Sequence, residues 1–307
     1  MKKEKMHPHK FGSISDAYRA FGLPEPRHPL ISLINGAESD DIKPPSGSHV
    51  LNFYKISYKP KQSGKLKYGR GFYDFNEGGL LFASPNQIMG NYVDDNTAVD
   101  CSLYTLLIHP DFFLGYPIAQ EIKKYGFFSY STNETLHLSL EEKDTIISIF
   151  KMIETELNSR IDDFSQDVTI SQIALLLNFA NRYHKRQFIT RKAINNDIIQ
   201  KLEIYLNDYL DDSKSLNSGI PTVQSLGDQV GLTPSYLSDM LRSLTGRNAQ
   251  QFIHDKLIEK AKELLSTTDL SISEIAYQLG FEYSQSFNRL FKSKTNLSPL
   301  EFRKSFN

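Results

Sequence analysis

Apolar positions in the last third of the chain follow a pattern that occurs twice. Val223, Leu226, Val230 and Leu232 are spaced as Ile272, Ile275, Leu279 and Phe281 are, with Gly231 and Gly280 at matching places. Each copy runs into a second amphipathic stretch, Leu237, Met240, Leu241 and Leu244 in the first and Phe287, Leu290 and Phe291 in the second. The copies close alike, Thr245-Gly246 against Thr295-Asn296 and then Phe252 against Phe302. A short apolar helix, a glycine turn and a second helix with its outer face free make a helix-turn-helix unit, whose second helix can enter a DNA major groove. Two in tandem suit two successive groove faces.

Upstream, the pattern changes period. His49–Tyr58, Gly71–Phe75, Gly79–Ser84 and Ser102–Ile108 are rich in aromatic and branched residues, with Gly, Pro, Asn and Asp between them. Short strands at that spacing predict an antiparallel barrel or sandwich. After Pro110 the period becomes helical. Ser139-Leu-Glu-Glu142 is a capping box, followed by Ile146, Ile147, Phe150, Ile153 and Leu157. A helix from about Thr169 to His184 is apolar on two faces, Ile170, Ile173, Ala174 and Leu177 on one and Leu176, Phe179 and Tyr183 on the other. The second face either packs within its own fold or forms a dimer seam. A third helix, about Asn196 to Tyr209, leads into the polar stretch Asp211–Gly219, the linker candidate, before Pro221.

In the far segment the helix ends are explicit. Thr222, Thr233-Pro234, Ser271-Ile-Ser-Glu274 and Ser298-Pro-Leu-Glu301 are start signals, and Gly246 is a stop signal. Phe252, Ile253, Leu257, Ala261, Leu264 and Leu265 form one stripe between the two units. A helix of some 18 residues there spans about 27 Å, enough to set two reading heads roughly one DNA turn apart. With Phe287, Leu290 and Phe291 inward, Ser284, Gln285, Asn288, Arg289 and Lys292 share the outer face; the first unit's outward set is Ser235, Tyr236, Ser238, Asp239 and Arg242. Arg pairs bidentately with guanine, Gln and Asn with adenine, and Lys neutralises phosphate.

Composition narrows the picture. The 307 residues allow two domains, and a net charge of −1 gives no global attraction to nucleic acid, so any footprint is a local patch. The single cysteine, Cys101, cannot form an internal disulfide, which suits a reducing compartment. The first ten residues lack a signal peptide's apolar run, and no stretch of about 18 apolar residues occurs, so a cytoplasmic protein off the membrane is expected. The basic run Arg182, Lys185, Arg186, Arg191 and Lys192 is a solvated helix end or a phosphate contact.

Ile272-Ser-Glu-Ile-Ala276, Leu279-Gly-Phe281, Phe287-Asn-Arg-Leu-Phe-Lys292 and Ser298-Pro-Leu-Glu-Phe-Arg303 resemble the signature of the AraC family of bacterial transcription regulators, over about Pro221 to Asn307. The preceding region resembles the cupin-like sensing domain many members carry, with Leu81–Gln87 at a similar strand and turn and Ala180–Phe188 like the end of their helical, often dimerising, segment. The resemblance implies an α+β chain. It has a cupin-like sensing and dimerisation barrel with helices at 1–190, a helix and linker at 191–220, and an all-α DNA-binding domain at 221–307 with helix-turn-helix units at 222–246 and 271–296. It also implies groove contacts from Ser284, Gln285 and Arg289. Several relatives carry a basic residue where this chain has Asp239; an acid there either accepts from a cytosine amino group or contributes little.

Enzyme chemistry finds no support. A metal-binding cupin needs a close His-x-His with further ligands, but His49 and His109 stand alone, and His7-Pro-His9 lies in a charged terminus. No nucleophile elbow, phosphate loop or paired carboxylates occur, and Cys101 reads as a core residue. No cofactor or metal is expected. Tyr54, Tyr58, Tyr68, Tyr73 and Tyr104, with Phe53, Phe72, Phe75 and Phe82, line a pocket for a small polar effector such as a sugar, fill a core, or cover an interface. The expected protein is a double-stranded-DNA-binding regulator. It is a homodimer that activates through RNA polymerase in answer to an effector; the alternative is a constitutive regulator whose front domain only dimerises or binds a protein.

Overall fold

The computed structural model describes residues 9–37, 48–60, 65–68, 71–74, 79–90, 102–130, 134–211 and 214–305, and the chain divides into two units, 1–187 and 188–307. Cys101, His7 and Phe75 lie outside the described residues, as do the side chains of Tyr68, Phe72 and Tyr73.

The first unit is built on strands β1 (His9–Phe11), β2 (Ile31–Asn35), β3 (Ser48–Leu51), β4 (Tyr54–Lys59), β5 (Lys65–Tyr68), β6 (Gly71–Asp74), β7 (Gly79–Ala83), β8 (Ile88–Gly90), β9 (Tyr104–Ile108) and β10 (Leu136–His137). Helix α1 (Ile14–Ala20) follows β1, α2 (Ile118–Glu121) lies among short 3-10 turns, and α3 (Leu140–Asn158) and α4 (Ser165–Thr190) close the unit, with the last residues of α4 in the second. The main sheet has the order β10-β7-β4-β9-β2, all antiparallel, with Ile56 opposite Leu106 and Ser57 opposite Thr105.

Period-2 alternation gives this sheet two faces. Ile56, Tyr58, Tyr104 and Leu106 are buried on one, where Tyr104 stacks on Phe150 of α3 at 5.3 Å and 10°. On the other, the Ser57 and Thr105 hydroxyls bond at 3.0 Å, and Tyr18 of α1 bonds Ser32. Phe11, Ile14, Ala17, Leu51, Phe53 and Leu107 form the core on that side. A cavity of about 20 Å³ opens there, lined by His49, Lys55, Ser102 and Thr105 with Phe53 and Leu107, room for about one water molecule. Of the candidate aromatics, Tyr54, Tyr58 and Tyr104 are core side chains, and Phe82 packs on Phe127 and Phe128.

The described strands show no closed barrel. The described strands form three separate sheets, β10-β7-β4-β9-β2, β1-β3-β8 and β5-β6, and none closes on itself. The run read as one strand from His49 to Tyr58 is two strands. At Asn52-Phe53 the chain leaves β3, which pairs with β1 and β8, and enters β4, which pairs with β7 and β9. β1 and α1 were not legible as elements. α1 has its own capping box, Ser13 with Asp16.

Arg186, from the basic run on α4, is committed within the unit. Its guanidinium pairs with Glu142 of α3 at 2.5 Å and donates to the His137 carbonyl at 2.8 Å. Beside it His184 is buried between Phe127, stacked at 5.1 Å, and Tyr130, edge-on at 5.3 Å, and neither ring nitrogen has a hydrogen-bond partner among the described residues.

The second unit holds α5 (Lys192–Asp211), α6 (Lys214–Ser218), α7 (Val223–Val230), α8 (Pro234–Thr245), α9 (Ala249–Thr267), α10 (Ile272–Gln278), α11 (Ser284–Thr295) and α12 (Pro299–Lys304). The backbone repeats as the sequence does. Gly246 and Asn296 both end a helix in the left-handed region at φ 74° and 61°. The Thr245 hydroxyl donates to Leu241 O and accepts from Arg247 N; the Thr295 hydroxyl donates to Phe291 O and accepts from Leu297 N. α9, 19 residues and about 28 Å long, joins the copies. It buries Phe252, Ile253, Leu257, Ile258, Ala261, Leu264 and Leu265.

The stretch expected to be a linker carries α6 instead. Ser215 is buried and its hydroxyl donates to Gln278 O of α10, while the Tyr209 hydroxyl donates to Gly219 O. Gly280, at φ +87°, approaches this stretch so closely that a Cβ there would stand 2.6 Å from the Gly219 carbonyl carbon. Lys256 and Lys260 of α9 reach Glu203 and Asp211 of α5 at 3.9 and 2.7 Å. Polar composition signalled a surface; it did not exclude docking.

Two outcomes are expected. Gly280→Ala meets backbone rather than flexible side chain and must hold a positive φ, so it should destabilise the second unit by about 2 kcal/mol or more in a thermal melt. Burial, with Arg186 and His137 beside it, pushes the His184 imidazole down to about 3, whereas the unfolded chain protonates it near 6.5. Below that pH the unfolded state binds the proton and the folded state does not, so the first unit loses stability as pH falls from about 6.5 towards 3. In melts across that window, His184→Leu should lose less on acidification than wild type.

Candidate nucleic-acid interface

The two second helices differ in how they are started and in what their outer faces carry. Thr233 caps α8 with its hydroxyl on Tyr236 N, and Pro234 occupies the first turn. Phe287 and Phe291 of α11 are fully buried, Phe287 packed edge-to-face on Phe281 and Phe291 edge-to-face on Phe302 of α12. That anchoring turns the opposite face outward. Gln285, Asn288, Arg289 and Lys292 are exposed together and Ser284 is half-buried at the start of the helix. Arg289 has no hydrogen bond or ion pair among the described residues, so its five donors are available.

On α8, Leu237, Met240 and Leu241 are buried, and Ser235, Ser238, Asp239 and Arg242 lie on the far side, the last exposed and the others half-buried. Tyr236 does not join them. It is 5% exposed, its ring edge-on to Phe188 at 5.1 Å, so its place in the outward set is corrected. At 100° per residue position 236 stands about 40° from Met240, on the inward face; an amphipathic side chain disguised an inward position. Arg242 differs from Arg289 in being paired, its Nη1 lying 2.7 Å from Asp239 Oδ1.

Asp255 of α9 is a residue that composition did not single out. It pairs with Arg247, ahead of α9, at 2.7 Å and with Lys294, in the last turn of α11, at 2.9 Å, while itself largely covered. It therefore fixes the far end of α11 on the long helix. Lys256 and Lys260 are likewise paired, so much of the unit's positive charge is neutralised at home. Tyr283, 62% exposed, occupies the cap position of α11 without a side-chain cap bond; an aromatic in a cap position was its signal in the sequence.

Among the described residues no group of three or more His, Cys, Asp or Glu could hold a metal, and no helix is long and apolar enough to cross a membrane. His109 instead caps the turn Pro110–Phe113, accepting from Asp111 N. The side chain of Lys192 lies outside the described residues.

Residues 226–305 match the family model described as a helix-turn-helix domain. The arabinose operon regulatory protein of Escherichia coli (strain K12) is 36% identical over 99 residues, 32% of this chain and 32% of that protein. An uncharacterised helix-turn-helix-type transcriptional regulator of Pseudoalteromonas carrageenovora is 31% identical over 114 residues, 37% of this chain and 63% of that protein. The matched part thus spans less than two thirds of either relative. Among solved structures, the C-terminal domain of the two-component response regulator yesN from Fusobacterium nucleatum is 32% identical, covering 32% of this chain and 94% of that one, with a TM-score of 0.28.

Removing the Asp255 carboxylate leaves two cations facing each other at the base of α11. Asp255→Ala should lower the unit's stability by about 1 kcal/mol, a modest figure because both partners are partly solvated. The gap from wild type, read by melting at low and high salt, should narrow as salt screens the charges.

Proposed function

We propose, from the premise that residues 226–305 form a helix-turn-helix domain of the AraC type, that this chain is a sequence-specific transcription regulator that reads double-stranded DNA with α8 and α11 in successive major grooves. The observation that carries this is the repeated unit itself: two helices, anchored by equivalent turns on one long helix, each presenting polar side chains away from the core. Gln285 and Arg289 are the proposed base readers of α11, with Asn288 and Ser284 beside them and Lys292 on phosphate. Ser235, Ser238, Asp239 and Arg242 are the readers of α8. With Tyr236 withdrawn, that helix offers fewer contacts, and α11 supplies most of the affinity.

The first unit is proposed to sense a small effector and to dimerise, and the whole to activate transcription by contact with RNA polymerase in the cytoplasm. Support for dimerisation comes from the start of α4, where Val168 and Leu175, with Phe164 just ahead of the helix, are exposed at helical spacing. Sensing is proposed from the resemblance of the first unit to cupin-like sensing domains; the cavity beside Lys55, Ser102 and Thr105 has room for about one water molecule and is no sugar site as it stands. A regulator whose first unit only dimerises or binds a protein is the alternative, and a saturable metabolite that alters operator affinity in a titration would exclude it. No catalysis is proposed.

The deciding experiment is selection of genome fragments by the purified chain, then footprinting at two salt concentrations. Two adjacent protected groove faces with a shared sequence support the reading, and weak binding without a shared sequence overturns it. Arg289→Ala should cost about 1–3 kcal/mol on the selected site and relax its preference for one guanine. Equal weakening on all sequences would make Arg289 a phosphate contact instead.

A further inference from the structure

The ion pair on α8 gives Asp239 a role that its charge alone would argue against. A carboxylate on a helix that enters a groove repels phosphate, so on electrostatics it should weaken binding. Yet Asp239 lies on the outward face, and its Oδ1 is 2.7 Å from Arg242 Nη1, one turn along the helix. We infer that Asp239 is a positioning residue that sets the sequence choice of α8. It holds the Arg242 fork by one nitrogen so that the Nε and Nη2 edge is presented to a guanine. This rests on the reading of α8 as a groove-entering helix.

An arginine contacts guanine O6 and N7 with two parallel N–H groups, so its planar fork must be oriented as well as placed. Arg242 is 55% exposed along its side chain and would otherwise sample many rotamers; the Asp239 contact restricts it before DNA arrives. An ionised carboxylate is also an acceptor only. Guanine and thymine present only acceptors and a methyl group in the major groove, whereas cytosine and adenine present an amino group. Beside the guanine, Asp239 therefore disfavours guanine and thymine and admits cytosine or adenine. α11 has no such pair on Arg289, so the two reading helices discriminate differently: α11 by attraction, α8 by attraction and exclusion together.

The test uses the full chain as wild type, Asp239→Ala, Asp239→Asn, Arg242→Ala and the combined Asp239→Ala/Arg242→Ala. Each is selected against randomised duplex DNA and titrated on the selected site and its single-base-pair variants. Arg242→Ala should erase the preference for one guanine. Asp239→Ala should reduce discrimination at that guanine by about tenfold while binding to unrelated DNA tightens. Asp239→Asn, which keeps an acceptor for Arg242, should retain part of the discrimination. The combined variant should be no less selective there than Arg242→Ala alone. A merely structural surface pair predicts another pattern, with every sequence tightened by one factor in Asp239→Ala and the guanine preference intact. That result overturns the inference and leaves the regulator reading standing. A wild-type chain that selects no shared sequence overturns both.

Discussion

Everything in the second unit depends on the apolar stripe of α9. The helices that flank it, α7, α8, α10 and α11, run from 7 to 12 residues, too short to persist alone in water. They persist because their inward residues are buried together with Phe252, Ile253, Leu257, Ala261, Leu264 and Leu265 of the long helix. That burial fixes orientation as well as stability. Once Leu237 and Met240, or Phe287 and Phe291, are turned inward, the remaining face of each second helix has nowhere to go but outward. The separation of the two outward faces is then a property of one rigid element about 28 Å long.

Charge is arranged on the same frame. A chain of net charge −1 has no global field to draw in DNA, and within this unit Arg247, Lys256 and Lys260, on or beside α9, are matched by acids of α5 and of α9 itself. Lys294 is matched too, by Asp255. What is left without an ion pair on α11 among the described residues is Arg289 with Lys292, on the outward face. Neutralising structural cations in place concentrates positive potential on the residues that face outward. A uniformly basic domain would bind any polyanion; this one would owe more of its affinity to geometry.

How far the sequence was legible follows from how local each signal is. The helices from α7 to α12 were readable nearly to the residue because their ends are local chemistry, Thr222, Thr233, Ser271 and Ser298 at the starts and Gly231, Gly246 and Asn296 at the stops. α3 was readable from Ser139 and Glu142 for the same reason. The first unit was less legible because its pairing is not local. β1 is three residues long and exists through its parallel partner β3, some forty positions away, and the break at Asn52-Phe53 leaves no mark in hydrophobic period. Tyr236 was misplaced because a phenol suits either face of a helix, and only Phe188 decides which. Asp239 was visible as a charge but not as a pair, since spacing of three permits a bond without requiring it.

The folded unit is also larger than the matched domain, and the difference has consequences. The match begins at residue 226, but the packing that orients the two second helices begins at Phe188. Phe188 covers Tyr236 on α8, and Asn195, itself buried, donates to the Phe188 carbonyl at 2.7 Å and holds that residue in place. At the other head, Ser215 and Gly219 press on the turn between α10 and α11, where Gly280 has no side chain to yield. Between these two attachments α5 buries Leu202 and Leu206 and is tied to α9 through Glu203 and Asp211 at the surface. The segment from 188 to 219 therefore touches both heads and the helix that spaces them. Interfaces of this kind are close-packed rather than elastic, so a displacement of that segment would be passed on to α8 and α10 instead of being taken up as slack in a tether. The polar stretch that reads as a linker is, in physical terms, part of the frame.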